Sequence, residues 1–172
     1  GRYRRGDLIH RLLQLLPDIA GPEREAAALR LLSRERDLTD MQRREMAAAA
    51  LGVLGDPQFA AVFGPGSRAE VAVAGHAPGA GPVSGRVDRL LVEPDRVLVI
   101  DFKTNRPAPA RIEDADPAYI RQMAVYAAVL KTIFPDRKVE TALVWTDGPR
   151  LMTVPEKLTA QALARLAASV DS

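Results

Sequence analysis

Residues 85–106 read GRVDRLLVEPDRVLVIDFKTNR, two β-rich runs either side of Glu93-Pro94-Asp95. Val, Leu and Ile crowd both runs and Pro-Asp is turn chemistry, so 85–92 and 96–102 predict a tight antiparallel hairpin. With the turn centred on Pro94-Asp95, Glu93 faces Arg96 and Val92 faces Val97. The same count carries down to Asp88 opposite Asp101, on one face, with Cβ atoms ~5 Å apart. Alternation puts Lys103 on the face of Asp101 and turns Ile100 and Phe102 to the other side. Like charges directly opposite one another destabilise a sheet, so this pair needs something positive between its members.

Two acids and a lysine at one strand end are what a hydrolytic metal site requires. Carboxylate oxygens are hard ligands that suit Mg²⁺ or Mn²⁺. Such an ion clamps a phosphate, lowers the pKa of a bound water and steadies the departing oxygen. A lysine beside it adds charge where the transition state becomes more anionic. The plain alternative is a surface hairpin with Asp88 paired to Arg86 or Arg89 and Lys103 solvated.

The rest of the chain supplies the setting. Residues 6–16 carry Leu8, Ile9, Leu12, Leu13 and Leu16 near a 3.6 period before Pro17, which predicts a helix. A second helix is expected from Pro22 to about Leu32. Thr39 and Gln42 have the spacing of a capping box, opening a third helix to Leu51, with Gly52 and Gly55 closing it. A short turn is expected over 57–63. Residues 68–74 alternate as a strand, and 75–84, rich in Gly, Pro and Ala, read as a loop. After the hairpin, 119–134 predicts a helix, 139–146 and 150–154 two strands joined by Asp147-Gly148-Pro149, and 155–170 a last helix. Helices followed by β-β-β-α-β-β-α predict an α/β domain with a mixed sheet.

Composition narrows the class. The 172 residues contain no Cys, which excludes a disulfide scaffold, a cysteine zinc site and a thiol nucleophile. No apolar run approaches the ~18 residues of a membrane span. The opening Gly-Arg-Tyr-Arg-Arg-Gly has no apolar segment behind it, so no signal peptide is expected, and the chain reads as a piece of something longer. The expected location is the cytoplasm. Lys and Arg total 24 against 22 Asp and Glu, a net charge of +2. Nucleic-acid contact would therefore come from a local patch rather than a strongly basic field. No G-x-x-x-x-G-K-[ST] occurs, so the chain carries no P-loop motor.

The order GRVD, then IDFK, then QMAVY resembles the PD-(D/E)xK nucleases of the RecB/AddA branch, and GDLIH matches that branch's helical G-x-x-x-H near the start. The phrase DFKTNRP looks most like the carboxy-terminal nuclease domain of AddA-type double-strand-break repair helicase/nucleases. The resemblance runs from about Gly6 to Val154. It implies a restriction-endonuclease-like mixed central sheet flanked by helices, with an amino-terminal helical layer. It implies one nuclease domain over 1–172, helical over 1–63 and α/β over 64–172. Asp88, Asp101 and Lys103 would be catalytic. His10, Asp88, Asp101 and the Phe102 carbonyl would hold Mg²⁺ or Mn²⁺. Gln122 and Tyr126 would position the substrate strand or the lysine. The substrate would be DNA, a single strand delivered by a helicase, and the partner an AddB-type subunit. The departure is Arg89 after the first acid, where many relatives have a neutral or apolar residue. The alternatives are a nuclease-like fold that has lost activity and serves as a DNA-binding or docking module, and a Cas4-like or stand-alone nuclease, which the missing cysteines disfavour.

Other residues are assigned less by pattern. A His on an apolar helix is usually an interior residue, and only the resemblance makes His10 a ligand. Gln122 and Tyr126, at i and i+4, share a helix face away from a Met123, Ala127, Leu130 stripe. Glu70 could add a metal carboxylate but reads first as a solvent-facing strand acid. His76 reads as a loop residue, and Trp145 as core. Arg106 and Arg121 are expected to contact phosphates, with Arg86, Arg89 and Arg111 as further candidates.

Overall fold

The structure, a computed structural model, describes residues 2–170. Gly1, Asp171 and Ser172, which the expected 1–172 domain includes, lie outside the described residues. Five strands form one mixed sheet in the order β1 (Ser67–Ala77), β2 (Gly81–Val92), β3 (Arg96–Lys103), β4 (Lys138–Trp145), β5 (Arg150–Val154). Neighbours are antiparallel except β3 and β4, which run parallel with Lys103 beside Trp145. Helices α1 (Arg2–Leu15), α2 (Arg24–Ser33) and α3 (Asp40–Leu54) precede the sheet. Helix α4 (Pro117–Ile133) crosses between β3 and β4, and α5 (Glu156–Val170) follows β5. This is the expected element order and the α/β architecture of the restriction-endonuclease-like fold. No helix among the described residues is long and apolar enough to cross a membrane.

Two cores sandwich the sheet. On one face Ile9, Leu12 and Leu13 of α1, Ala28 and Leu32 of α2, and Met46 and Val53 of α3 pack with Leu98, Ile100 and Phe102 of β3. On the other, Met123, Val129 and Leu130 of α4 meet Val97 and Val99 of β3 and Leu143 of β4. Each fully buried Leu or Ile on α1 contributes roughly 1.5–3 kcal/mol, enough to seat a helix that also carries a half-buried His10. The capping box forms in both directions: Thr39 Oγ1 accepts from the Gln42 N–H at 3.1 Å, and Gln42 Oε1 from the Thr39 N–H at 2.9 Å. Gly55 caps α3, but Gly52 lies inside the helix.

Residues 75–84 are not a loop. β1 runs on to Ala77, β2 begins at Gly81, and the pairs from Ala74 with Ser84 to Ala77 with Gly81 make a long hairpin around Pro78–Ala80. His76 is accordingly an exposed strand residue. Of the glycines that suggest a loop, Gly79 and Gly81 make the turn at φ 83° and 73°, while Gly75, like Gly85 just beyond, is there because α4 lies close. A Cβ on Gly75 would meet Val129 Cγ1 at 2.8 Å, and one on Gly85 would meet the Tyr126 hydroxyl at 2.2 Å.

The β1–β2 pairing is disturbed at one row. Val87 packs in the α4-side core, whereas Leu91 packs with the amino-terminal helices. Between them lies Asp88, and across from it Glu70 adopts φ 51°, a left-handed conformation rare for a residue with a side chain. The β2–β3 ladder stops at Arg89 with Ile100, just short of Asp88 and Asp101. The sheet is thus opened where the carboxylates stand.

Candidate active site

The predicted hairpin register holds. Val92 pairs with Val97, Leu91 with Leu98, Leu90 with Val99 and Arg89 with Ile100. The next row brings Asp88 and Asp101 together, but as side chains inserted in the ladder: Asp88 Oδ2 accepts the Phe102 N–H at 2.8 Å.

Helix α1 delivers His10 to the same place. Its Nε2 is 3.2 Å from Asp88 Oδ2 and 2.8 Å from the Phe102 carbonyl, while Nδ1 is 2.8 Å from the Gly6 carbonyl one turn back. Gly6 explains the approach, since a Cβ there would stand 2.9 Å from Thr104 Oγ1. Arg5 clamps the same junction, donating to the Thr104 carbonyl at 3.0 Å and to both Glu45 oxygens at 2.9 and 2.5 Å. Sequence reasoning missed Arg5, because its partners lie on α3 and beyond the end of β3.

Asp101 and Lys103 share a face, as alternation requires, and form an ion pair at 2.5 Å. Asp101 Oδ2 is buried and receives no hydrogen bond of good geometry, even from this ammonium. Lys103 Nζ also lies 3.8 Å from the centre of the Tyr119 ring, a cation–π contact, and Asn105 Nδ2 donates to the Tyr119 hydroxyl at 2.9 Å. Tyr119 was not anticipated. Its one signal is a place one turn before Gln122 on α4.

The charges follow from these contacts. Burial alone lowers the His10 pKa, but the Asp88 hydrogen bond and charge, with the Gly6 and Phe102 carbonyls, outweigh it and raise it from 6.5 to about 9. Burial and then the Asp88 charge push Asp101 up from 3.8 to about 7 against the pull of Lys103. Asp88 itself is lowered: burial would raise it, but its hydrogen bonds with His10 and Asp101 prevail.

The donor set fits a divalent cation. With Nδ1–H committed to Gly6, Nε2 of a neutral ring would be free to ligate, and it already points at an oxygen pair. In this geometry a proton on Nε2 bridges to those oxygens, where a cation would otherwise sit. Nowhere among the described residues do three His, Cys, Asp or Glu side chains converge on one point. Here the donors are His10, Asp88 and a backbone carbonyl, with Asp101 drawn onto Lys103.

The remaining predicted residues separate. Gln122 is exposed, one turn along α4 from Tyr119. Tyr126 does not point away from the core stripe; it belongs to that core, its hydroxyl over Gly85. Arg106 is exposed and 3.5 Å from Glu45. Arg121, two residues from Tyr119, is on a different face of α4 and lines a groove with Leu158 and Arg165 of α5, so the structure does not bring it to Lys103. Arg89 is 5% exposed, bonded to Ser67 Oγ at 2.7 Å and the Val62 carbonyl at 3.2 Å, with its guanidinium over Phe63, and no phosphate can reach it. Arg86 donates to the Glu70 carbonyl at 3.3 Å and Arg111 to Asp114. Trp145 is core, as expected.

A mixed sheet with a helical His, two facing carboxylates and a strand-end lysine defines the class of metal-assisted phosphodiester-cleaving folds. The family profile of the PD-(D/E)XK nuclease superfamily matches residues 1–169, and the chain belongs to that superfamily, whose nucleases generally use divalent metal ions. Among solved structures, the "Putative exonuclease" from Eubacterium rectale superposes with a TM-score of 0.60 at 14% identity. That match covers 92% of this chain and 65% of the other, so the chain spans just under two thirds of that protein. SSO0001 matches at 19% identity with a TM-score of 0.42 over 83% of this chain and 69% of its own, too loosely to bear on the fold. No curated protein matches the chain.

Proposed function

We propose that the chain is a divalent-cation-dependent deoxyribonuclease unit that hydrolyses DNA phosphodiester bonds. The observation that carries this is the meeting of His10 Nε2, Asp88 Oδ2 and the Phe102 carbonyl within 3.2 Å, beside the Asp101–Lys103 pair. Mg²⁺ or Mn²⁺, held by His10, Asp88, Asp101 and the Phe102 carbonyl, would supply polarisation of the phosphate and of the attacking water. Lys103, which stands beside Asp101, would set its ammonium against the phosphate oxygens. His10 would serve as a neutral ligand, with no proton on Nε2. Asp88 orients both His10 and the Phe102 backbone. Gln122, Arg106 and solvent-facing groups along α4 contact the strand. Water replaces one P–O ester bond, leaving a phosphate monoester and a hydroxyl.

The finer reading is exonucleolytic processing of DNA ends in recombinational double-strand-break repair, as part of a longer cytoplasmic helicase/nuclease with an AddB-type partner. It is supported by the DFKTNRP, GRVD and QMAVY phrases, and the description of the Eubacterium rectale protein supports action at ends. End-labelled single- and double-stranded DNA, incubated with and without Mg²⁺ or Mn²⁺, tests both levels. Cation-dependent release of nucleotides from an end is the expected result. Binding without cleavage of either substrate would leave the inactive docking module instead.

A further inference from the structure

Strands β3 and β4 are the parallel pair, and their carboxyl ends, Lys103 and Trp145, are register partners. Ligands of α/β sheets gather outside such carboxyl ends. Beyond these two residues lies a depression of about 380 Å³, at the small end of the range for ligand pockets. Its walls include Tyr119, Trp145, Asn105 and Ala108. The Tyr119 and Trp145 rings are 6.3 Å apart and tilted by 53°, and the other face of the site is reached through Tyr119, whose ring touches Lys103.

Two features say what the depression suits. Trp145 is 2% exposed and its Nε1–H is buried, so the aromatic surface open to the depression is the half-buried Tyr119 ring. The acids that line the depression are already engaged: Asp116 caps α4 through the Ala118 N–H at 2.9 Å, and Asp114 pairs with Arg111 at 3.3 Å. They repel a phosphate but not a neutral ring. Flat and uncharged: a nucleobase has both properties.

We infer that this depression receives an unpaired nucleobase of the DNA strand, next to the phosphate that lies against Lys103. The inference rests on the nuclease reading and adds a base subsite to it. Base–aromatic contact is tolerant of sequence, so the subsite selects for single strands rather than for a particular base. A paired base, its edge turned inward and its faces stacked, cannot enter.

Trp145 is the only tryptophan, and this makes the subsite observable without catalysis. With EDTA present to prevent cleavage, a fluorescein-labelled single-stranded oligonucleotide is titrated against the protein. The comparison is an oligonucleotide of equal length whose sugars carry no bases. Trp145 emission should fall with the first and hold with the second, and anisotropy should show at least about tenfold weaker binding of the baseless strand. Ala108→Leu, which narrows the depression, should remove most of that difference while leaving affinity for the baseless strand unchanged. Unchanged emission on binding, or equal affinity for both strands, overturns the subsite even if the protein cleaves DNA. If neither strand binds and the wild type does not cleave, the nuclease reading falls and the subsite with it.

Discussion

His10 Nε2 stands 3.2 Å from Asp88 Oδ2, linking the amino-terminal helix to the middle of the hairpin. The ring is braced from behind by the Gly6 carbonyl and faces the Phe102 carbonyl, so both nitrogens are donors here. A cation held as proposed would therefore compete with a proton for one nitrogen.

The competition has a pH signature. His10 is raised from 6.5 to about 9, so its contribution to stability is fully present below pH 6.5 and lost as pH rises through 9. Asp101, raised from 3.8 to about 7, holds a proton that the unfolded chain has released, which also lowers stability as pH climbs through that window. The metal-free protein should thus melt at steadily lower temperature from pH 5 to pH 9. Mg²⁺ or Mn²⁺ should raise the melting temperature most at the alkaline end, where no proton needs displacing. Scanning calorimetry at pH 5, 7 and 9, with and without the ion, decides it. A flat metal-free profile contradicts the proposed protonation.

Asp101→Asn keeps the shape of the protonated carboxyl but cannot be charged. Cleavage should fall by about two orders of magnitude or more, since the residue is assigned to the cation. At pH 7.5 the metal-free melting temperature should not drop, because the like-charge contact with Asp88 goes as well. More than a few per cent of wild-type cleavage in the purified variant would remove Asp101 from the site.

Gly6 lets α1 approach the end of β3. Gly6→Ala sets a methyl group 2.9 Å from Thr104 Oγ1, so either Thr104 or the helix must shift, and His10 moves with the helix. We expect Mn²⁺ affinity, measured by calorimetry, to fall about tenfold, comparable to loss of an outer-shell contact. Thr104→Ala in the same chain should restore most of it. If the two substitutions add independently, the close approach is not what places His10.

Arg89 follows the first acid and looks like a phosphate ligand in the sequence. It is buried on Ser67, Val62 and Phe63 instead. Arg89→Ala should cost about 2–4 kcal/mol in urea unfolding, as a buried polar group is lost and its partners are left unpaired. The salt dependence of oligonucleotide binding should not change, since a phosphate contact would alter that slope by about one unit.

Much of the local structure was legible, and for local reasons. The Pro94-Asp95 turn sets the β2–β3 register by counting, so the sequence alone places Asp88 opposite Asp101. The Thr39–Gln42 box depends on residues three apart. Alternation alone put Asp101 and Lys103 on one face. Residues 75–84 misled because glycine is ambiguous: Gly79 and Gly81 serve a tight turn, but Gly75 sits in a strand that α4 presses against, and only the packing reveals which.

What the chain order could not contain is contact between elements distant in sequence. Tyr126 pairs with Gln122 in a motif, yet the close fit over Gly85 turns it into core. Tyr119 acquires its role from Lys103, and Arg89 from Val62 and Ser67, partners no periodicity connects. His10 is the sharpest case: its helix is amphipathic by sequence, but its ring meets Asp88 and the Phe102 carbonyl only because α1 docks with Gly6 against Thr104. By itself the sequence determined the acids, the lysine and their shared face, because strand geometry is a matter of neighbours. Which groups stand around them was decided by tertiary packing, since burial and long-range contacts set both their positions and their charge.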